Sequence, residues 1–339
     1  MRLSVVVPCF NEELTLQRLH DALVGVLSRI TDDFEVLLVD DGSRDNSLGV
    51  MRRIVSDDPR FRFLALSRNF GKEAAMLAGL SQATGDMVAI LDADLQHPPE
   101  LLEQMILLLR GGYDQVVARR TRTGDSPMRT FIARRYYRMM NKLVDVEIAD
   151  GVGDFRVLSR RAVDGLLALG EYNRFSKGLF SWIGFDTAVV DYENVPRAHG
   201  RSKWTLRGLL NYGIDGVVSF NHKPLRLAIY IGLFVSLLAF VYAGWVIVDA
   251  VRTGVDAPGY VTLMCGVIGL GGLQLVFLGV IGEYLGRIYY ETKRRPHFLV
   301  KESSEGSDVP VAVALGPEAA EHAVEHALEH ARLPRRVGK

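Results

Sequence analysis

The sequence predicts an α/β domain with a mostly parallel sheet, followed by a two-helix transmembrane hairpin. Three observations predict it. Over residues 1–120, apolar runs of strand length alternate with amphipathic stretches of helix length, the signature of strand–helix–strand units. No charged residue occurs from Leu227 to Val248 or from Ala257 to Gly282, runs of 22 and 26 residues, and about 20 helical residues cross a bilayer core. Acidic and polar residues gather directly after the strand-like runs, where sheets of this kind hold ligands.

Taken in order, LSVVV (3–7), FEVLLV (34–39), FRFLAL (61–66), DMVAIL (86–91) and YDQVVA (113–118) read as strands. The segments between them read as helices, with Leu16, Leu19, Leu23 and Leu27 at helical spacing. Residues 119–138 hold seven arginines (119, 120, 122, 129, 134, 135 and 138) against one acid, Asp125. A helix over 128–145 carries several of them, and residues 205–221 read as an amphipathic helix leading into the first span. The loop between the spans contains only Asp249, Arg252 and Asp256 as charges. It is short, so the spans form a hairpin. Arg201, Lys203, Arg207, Lys223 and Arg226 precede the hairpin, and Arg287, Lys293, Arg294 and Arg295 follow it. The positive-inside rule then places both flanks in the cytoplasm. The expected division is a cytoplasmic domain over 1–222, a membrane region over 223–290 with spans near 225–249 and 257–284, and a partly disordered cytoplasmic tail over 291–339.

Composition narrows the function. Lys+Arg and Asp+Glu are both 40, a net charge of zero, which argues against a dedicated nucleic-acid binder. With 48% hydrophobic and 24% charged residues, wholesale disorder is excluded. Cys9 and Cys265 make neither a disulfide framework nor a zinc motif. The N-terminus lacks the apolar run and cleavage site of a signal peptide.

The residues after the strands are the candidate site. No GxGxxG and no GxxxxGK[ST] is present, so dinucleotide and P-loop readings lose their main support. Asp92-Ala93-Asp94 ends the fourth strand. In an extended chain residues i and i+2 point the same way, and two carboxylates there suit a hard divalent cation with positions open for a diphosphate. Gln96 has the same parity and adds a ligand. The structural alternative is an acidic turn capping the helix near Pro99. Asp40-Asp41-Gly42-Ser43 can bind a ribose hydroxyl or base N–H, or form an ordinary turn with Asp45 capping the next helix. The arginine cluster suits a phosphate or an anionic membrane surface. Asp150-Gly-Val-Gly-Asp154-Phe-Arg156 places a carboxylate where it aligns or deprotonates a nucleophile, and reads equally as a structural turn. His322-Ala-Val-Glu325-His326 and its overlapping repeat to His330 match a zinc-peptidase pattern, but they arise from a four-residue repeat in an Ala-rich segment.

The ordered elements VVVPCFNEE, LLVDDGSRDNS, LSRNFGKEAAMLAGL, ILDADLQHPPELL, GDFRVLSR, FSKGLFSWIGF, GRSKW, KPLR and GEYLGRIYYETKRRPHF resemble family 2 glycosyltransferases of the GT-A fold. Over residues 3–299 the chain resembles the polyprenyl-phosphate branch, bactoprenol glucosyltransferases and dolichyl-phosphate mannose synthases. The resemblance implies that Pro8, Phe10, Glu12, Asp40, Asp92, Lys72 and Lys203 bind a nucleotide sugar, and that Asp92, Asp94 and Gln96 hold Mg²⁺ or Mn²⁺. It makes Asp94 and Asp154 the catalytic pair, the GDFR match favouring Asp154 over Asp150. Arg119, Arg134, Arg135 and Ser202 are assigned to the acceptor phosphate, and Ser202 with Lys203 to a loop closing over the donor. The implied reaction is inverting transfer, with UDP-glucose as donor and undecaprenyl phosphate as acceptor, at a bacterial inner membrane with the catalytic domain and both termini cytoplasmic. A homo-oligomer, a tetramer by resemblance, is expected. GDP-mannose, UDP-galactose and a UDP-amino-arabinose are the alternative donors. A processive polysaccharide synthase lacks its QxxRW element here, and a non-catalytic scaffold or flippase partner conflicts with the intact DxD.

Overall fold

The computed structural model describes residues 1–121, 135, 151–193, 223–253 and 259–306. Its elements in chain order are β1 (Leu3–Cys9), α1 (Leu16–Ile30), β2 (Phe34–Asp40), α2 (Ser47–Asp57), β3 (Phe61–Leu66), α3 (Lys72–Gln82), β4 (Met87–Ile90), α4 (Leu101–Arg110), β5 (Gln115–Arg120), β6 (Val152–Ser159), α5 (Arg160–Leu167), α6 (Ser176–Trp182), β7 (Thr187–Tyr192), α7 (Lys223–Thr253), α8 (Tyr260–Lys293) and β8 (Val300–Ser303). The five expected strands form, each within two residues of its expected ends.

The strands make one sheet in the order β7-β5-β6-β4-β1-β2-β3-β8. β6 runs antiparallel to both β4 and β5, and β8 runs antiparallel to β3. The remaining pairings are parallel. The sheet is therefore mixed, which refines the mostly parallel expectation. The reversal of β6 matters for chemistry. It brings the start of that strand, not its end, to the carboxyl edge of β4. Ile90 pairs with Arg156, and the same register continued two residues outward sets Asp154 against Asp92.

Alternate residues of the central strands face two cores. Val5, Val7, Val36 and Leu38 pack with Leu16, Leu19 and Leu23 of α1 and with α2 and α4. Val6, Val39 and Leu64 pack with α3, α5 and α6. These buried rows explain why β1 and β2 read as unbroken apolar runs.

α7 and α8 pack against each other and are roughly 46 and 51 Å long at 1.5 Å per residue. Within α8, Gly269–Lys293 is long and apolar enough to cross a membrane, and none of its most apolar window is buried. Large side chains such as Leu233, Phe234, Leu237, Leu275 and Ile281 point outward, an apolar surface that a soluble monomer does not carry.

Residues 298–305, within the expected tail, dock on the domain. Phe298 is fully buried in the α3 core, and Val300–Ser303 adds an edge strand to β3. Arg52 grips Glu302 at 2.8 and 2.6 Å, and Arg62 grips Glu305 at 2.5 Å. The strand covers an edge that would otherwise be open. Its residues, Val-Lys-Glu-Ser, carry no strand-like apolar pattern, so only the tertiary pairing reveals it.

Candidate active site

The site is assembled at the carboxyl edge of β1, β2 and β4 together with the start of β6. Two non-glycine residues there adopt left-handed backbone, Asn11 (φ 57°) and Leu95 (φ 56°). Asn tolerates that conformation, but a Leu in it is a strained position of the kind that marks functional loops.

The loops after β1 and β2 are stitched together. Asn11 N–H donates to Ser43 Oγ at 2.9 Å, and Arg44 N–H donates to Asn11 Oδ1 at 2.8 Å. Glu12 N–H donates to Ser47 Oγ at 2.8 Å, and Asn46 N–H donates to Glu13 Oε2 at 2.9 Å. Pro8, Phe10 and Glu12 line this pair of loops and are partly exposed, and Thr15 Oγ1 donates to Glu12 Oε2 at 2.9 Å. Asp40 is buried and accepts from Ser43 N–H at 3.1 Å.

Asp41 has a different task. It accepts from Phe70 N–H at 2.7 Å and Gly71 N–H at 3.0 Å, fixing the β3–α3 turn. Burial pushes its carboxyl up despite those bonds. Gly42 has φ +66°, and a Cβ on it would come within 2.4 Å of the Arg68 carbonyl carbon. Only glycine lets the two turns meet this closely.

Lys72 is the centre of the charge arrangement. Its Nζ lies 2.6 Å from Asp92 Oδ1 and 2.5 Å from Asp154 Oδ2. Burial opposes ionisation of both carboxyls, but the adjacent Lys72 ammonium outweighs it and holds both below the usual carboxylate range. Burial would also lower Lys72, yet Asp154 and Asp92 together raise it. His97 Nε2 is 3.6 Å from Asp92 Oδ2, and its Nδ1 lies 2.6 Å from the Tyr192 hydroxyl. Burial pushes that hydroxyl up to about 12, so it stays protonated at neutral pH. Lys177 stands near Asp154, its ammonium lowered by burial. Asp94 Oδ1 accepts from Gln96 N–H at 3.1 Å.

Asp92, Asp94 and Gln96 present oxygen donors suited to a hard cation. Among the described residues no three His, Cys, Asp or Glu side chains form a ready-made metal cage. These residues would hold a cation only as part of a set completed by a bound ligand. The ammonium seated between Asp92 and Asp154 shows that this spot favours positive charge.

The other sequence assignments divide. Arg119 makes a forked ion pair with Asp191, at 2.6 and 2.9 Å, so its guanidinium already has a carboxylate partner. Arg135 is exposed. Arg134, Ser202 and Lys203 lie outside the described residues. Sequence reasoning assigned no role to His97, Glu73, Ser176 or Lys177, although all four stand inside quoted motifs. Glu73 accepts a hydrogen bond from Ser176 Oγ, and burial pushes its carboxyl up. Those contacts join α3 to α6, elements far apart in sequence, so spacing did not reveal them.

The chain is similar to several known proteins. Residues 4–167 match the model of glycosyl transferase family 2, and residues 223–288 match the GtrB C-terminal hairpin. The chain is 50% identical over 302 residues to a putative glycosyltransferase CsbB of Bacillus subtilis, covering 89% of this chain and 92% of that protein. It is 39% identical over 308 residues to the bactoprenol glucosyl transferase of Shigella phage SfII, covering 91% of this chain and all of that protein. Among solved structures, mannosyl-3-phosphoglycerate synthase from Rubrobacter xylanophilus is similar at 21% identity and a TM-score of 0.46, over 67% of this chain and 74% of that one.

Proposed function

We propose, from the premise that the chain belongs to glycosyl transferase family 2 and is a glycosyltransferase, that it moves glucose from UDP-glucose to undecaprenyl phosphate. The observation that carries this reading is the Asp92–Lys72–Asp154 triad at the sheet edge, in a chain that aligns over 91% of its length with a bactoprenol glucosyl transferase and over residues 223–288 with the GtrB C-terminal hairpin.

In this reading Pro8, Phe10, Glu12 and Asp40 cradle the nucleotide. Asp92, Asp94 and Gln96 would hold Mg²⁺ or Mn²⁺, whose charge offsets that growing on the departing diphosphate. A phosphate oxygen of the lipid attacks the anomeric carbon, the bond from that carbon to the UDP oxygen breaks, and UDP leaves with the electron pair. Attack opposite the leaving group inverts the centre. A phosphate monoester has a second pKa near 6, so the nucleophile is mostly ionised at pH 7 and needs no strong base. Asp154 then aligns rather than deprotonates, and alignment carries much of the rate. Lys72, released from one carboxylate as the donor binds, supplies positive charge to the diphosphate. The hairpin holds the domain on the cytoplasmic face of the inner membrane, where the lipid head is presented.

The test is a donor panel of UDP-glucose, UDP-galactose, GDP-mannose and a UDP-amino-arabinose, each with undecaprenyl phosphate, followed by mass spectrometry of the lipid. A glucosyl-phosphate lipid is expected from UDP-glucose. Product from another donor alone overturns the glucose assignment.

A further inference from the structure

We infer that Arg156 is a positioning residue for the transfer reaction: it pins a bulge of β6 that carries Asp154, and so sets where that carboxylate stands. The inference rests on the reading above, in which Asp154 aligns the nucleophile, and adds a residue that has no role in it.

The bulge shows in the register of β6 on β5. Gln115, Val116 and Val117 pair with Leu158, Val157 and Arg156, and the next pair is Arg119 with Val152. Ala118 of β5 therefore faces three residues of β6: Gly153, Asp154 and Phe155. The pairs of β6 with β4 also end at Arg156. Asp154 is thus the middle residue of a stretch that has left the paired register. Bulges re-aim side chains beside active sites, but the backbone groups they free need other partners.

Arg156 supplies such a partner. Its Nη2 donates to the carbonyl of Gly153, the residue before Asp154, at 2.8 Å. Its Nη1 donates to Gln115 Oε1 at 3.0 Å. Gln115 is itself oriented. Its Nε2 donates to Thr187 Oγ1 at 3.0 Å and to the Phe180 carbonyl at 3.3 Å, which turns Oε1 toward the guanidinium. The guanidinium carbon lies 3.4 Å from the centre of the Phe180 ring in α6. One planar fork joins the bulge, β5 and α6, a geometry that the single ammonium of a lysine does not reproduce.

The position is unusual for a cation. Arg156 is 2% exposed and stands between Phe155 and Val157, both fully buried. Interior strand positions of this kind ordinarily take apolar side chains, and a guanidinium there depends on the hydrogen bonds it makes. One of those bonds ends on Gly153, and the next residue, Asp154, reaches Lys72 at 2.5 Å. A shift of the Gly153 peptide is carried directly into the Asp154 carboxylate. A misplacement of about 1 Å costs an aligning group roughly a hundredfold in rate.

The test is a double-mutant cycle with Asp154→Asn in the full chain in detergent, reading UDP release from UDP-glucose with undecaprenyl phosphate present. Arg156→Met is expected to lower kcat about thirtyfold and Arg156→Lys about fivefold, with KM for UDP-glucose unchanged in both. In the Asp154→Asn background either substitution is expected to cost less than about twofold more, because the group it positions is already gone. A further loss there as large as in the wild-type background, or undiminished turnover in Arg156→Met, overturns the assignment. Where Arg156→Met does not fold, the Arg156→Lys arm decides in the same way. Amide hydrogen exchange of residues 153–155, read without substrate, is expected to quicken about tenfold in Arg156→Lys while that of residues 157–159 holds. Unchanged exchange over 153–155 overturns the pin. If exchange there quickens but the wild type transfers no sugar from any donor, the pin stands and the transfer reading falls.

Discussion

Two acid-bearing parts of the same sheet edge are held in opposite ways. The loops after β1 and β2 are locked by hydrogen bonds between backbone N–H groups and short side chains, such as Asn11 with Ser43 and Glu12 with Ser47. Among the described residues, Asp92 after β4 and Asp154 within β6 are not joined by such backbone lacing. Asp92 and Asp154 share one flexible lysine. A locked cradle keeps its shape through the cycle, which suits recognition of a nucleotide. A pair of carboxylates bridged by a single movable cation can change partners, which suits a place where charge arrives and departs.

Substitutions on the two sides should therefore fail differently. Asp94→Asn carries the largest expected effect, a loss of roughly a thousandfold in transfer rate, with thermal stability close to wild type. Near-normal turnover would remove Asp94 from the metal half-site. Asp154→Asn should lower the rate about a hundredfold through misalignment, and the defect should persist at high pH. Full recovery as pH rises would make Asp154 a base instead.

Lys72→Gln should cost roughly tenfold in rate and move the acid limb of the pH profile. In the wild type the Lys72 ammonium overrides burial and keeps Asp92 and Asp154 ionised in acid. Without it burial acts unopposed, their pKa values rise, and activity is lost at a higher pH than in the wild type. An acid limb that stays in place contradicts the bridging role. On the cradle side, Ser43→Ala should destabilise the fold by about 1 kcal/mol and raise KM for the donor a few-fold, leaving kcat unaltered. A selective fall in kcat would show that the cradle is not merely a recognition surface.

The smallest effect lies at the hairpin foot. Burial and Arg174 lower His297 to about 4, below its ordinary value near 6.5. The folded state thus prefers the neutral ring. Its contribution is complete above the ordinary value and is lost as pH falls from about 6.5 toward 4. Hydrogen exchange of residues 298–304 should quicken at pH 5 relative to pH 7.5, and His297→Phe should flatten that difference.

How much of this was legible in the sequence depends on how local each feature is. β1 to β5 were readable because buried parallel strands are unbroken apolar runs bounded by polar turns. Asp92, Asp94 and Lys72 were readable because each directly follows or nearly follows a strand. Asp154 was found through its motif, but its place opposite Asp92 follows from the reversal of β6, which no periodicity displays. β8 escaped because Val-Lys-Glu-Ser becomes a strand only by pairing with β3. Arg119 was chosen from a run of arginines, and the fold supplies its partner, Asp191, 72 residues later.

The central claim is that this edge transfers sugar to a lipid phosphate under control of the Asp92 side. UDP release from UDP-glucose, measured with and without undecaprenyl phosphate and with and without Mn²⁺, tests it most directly. Release that requires both additions in the wild type, and is lost in Asp92→Asn, is the predicted result. Release that ignores the lipid, or persists undiminished in Asp92→Asn, would contradict it.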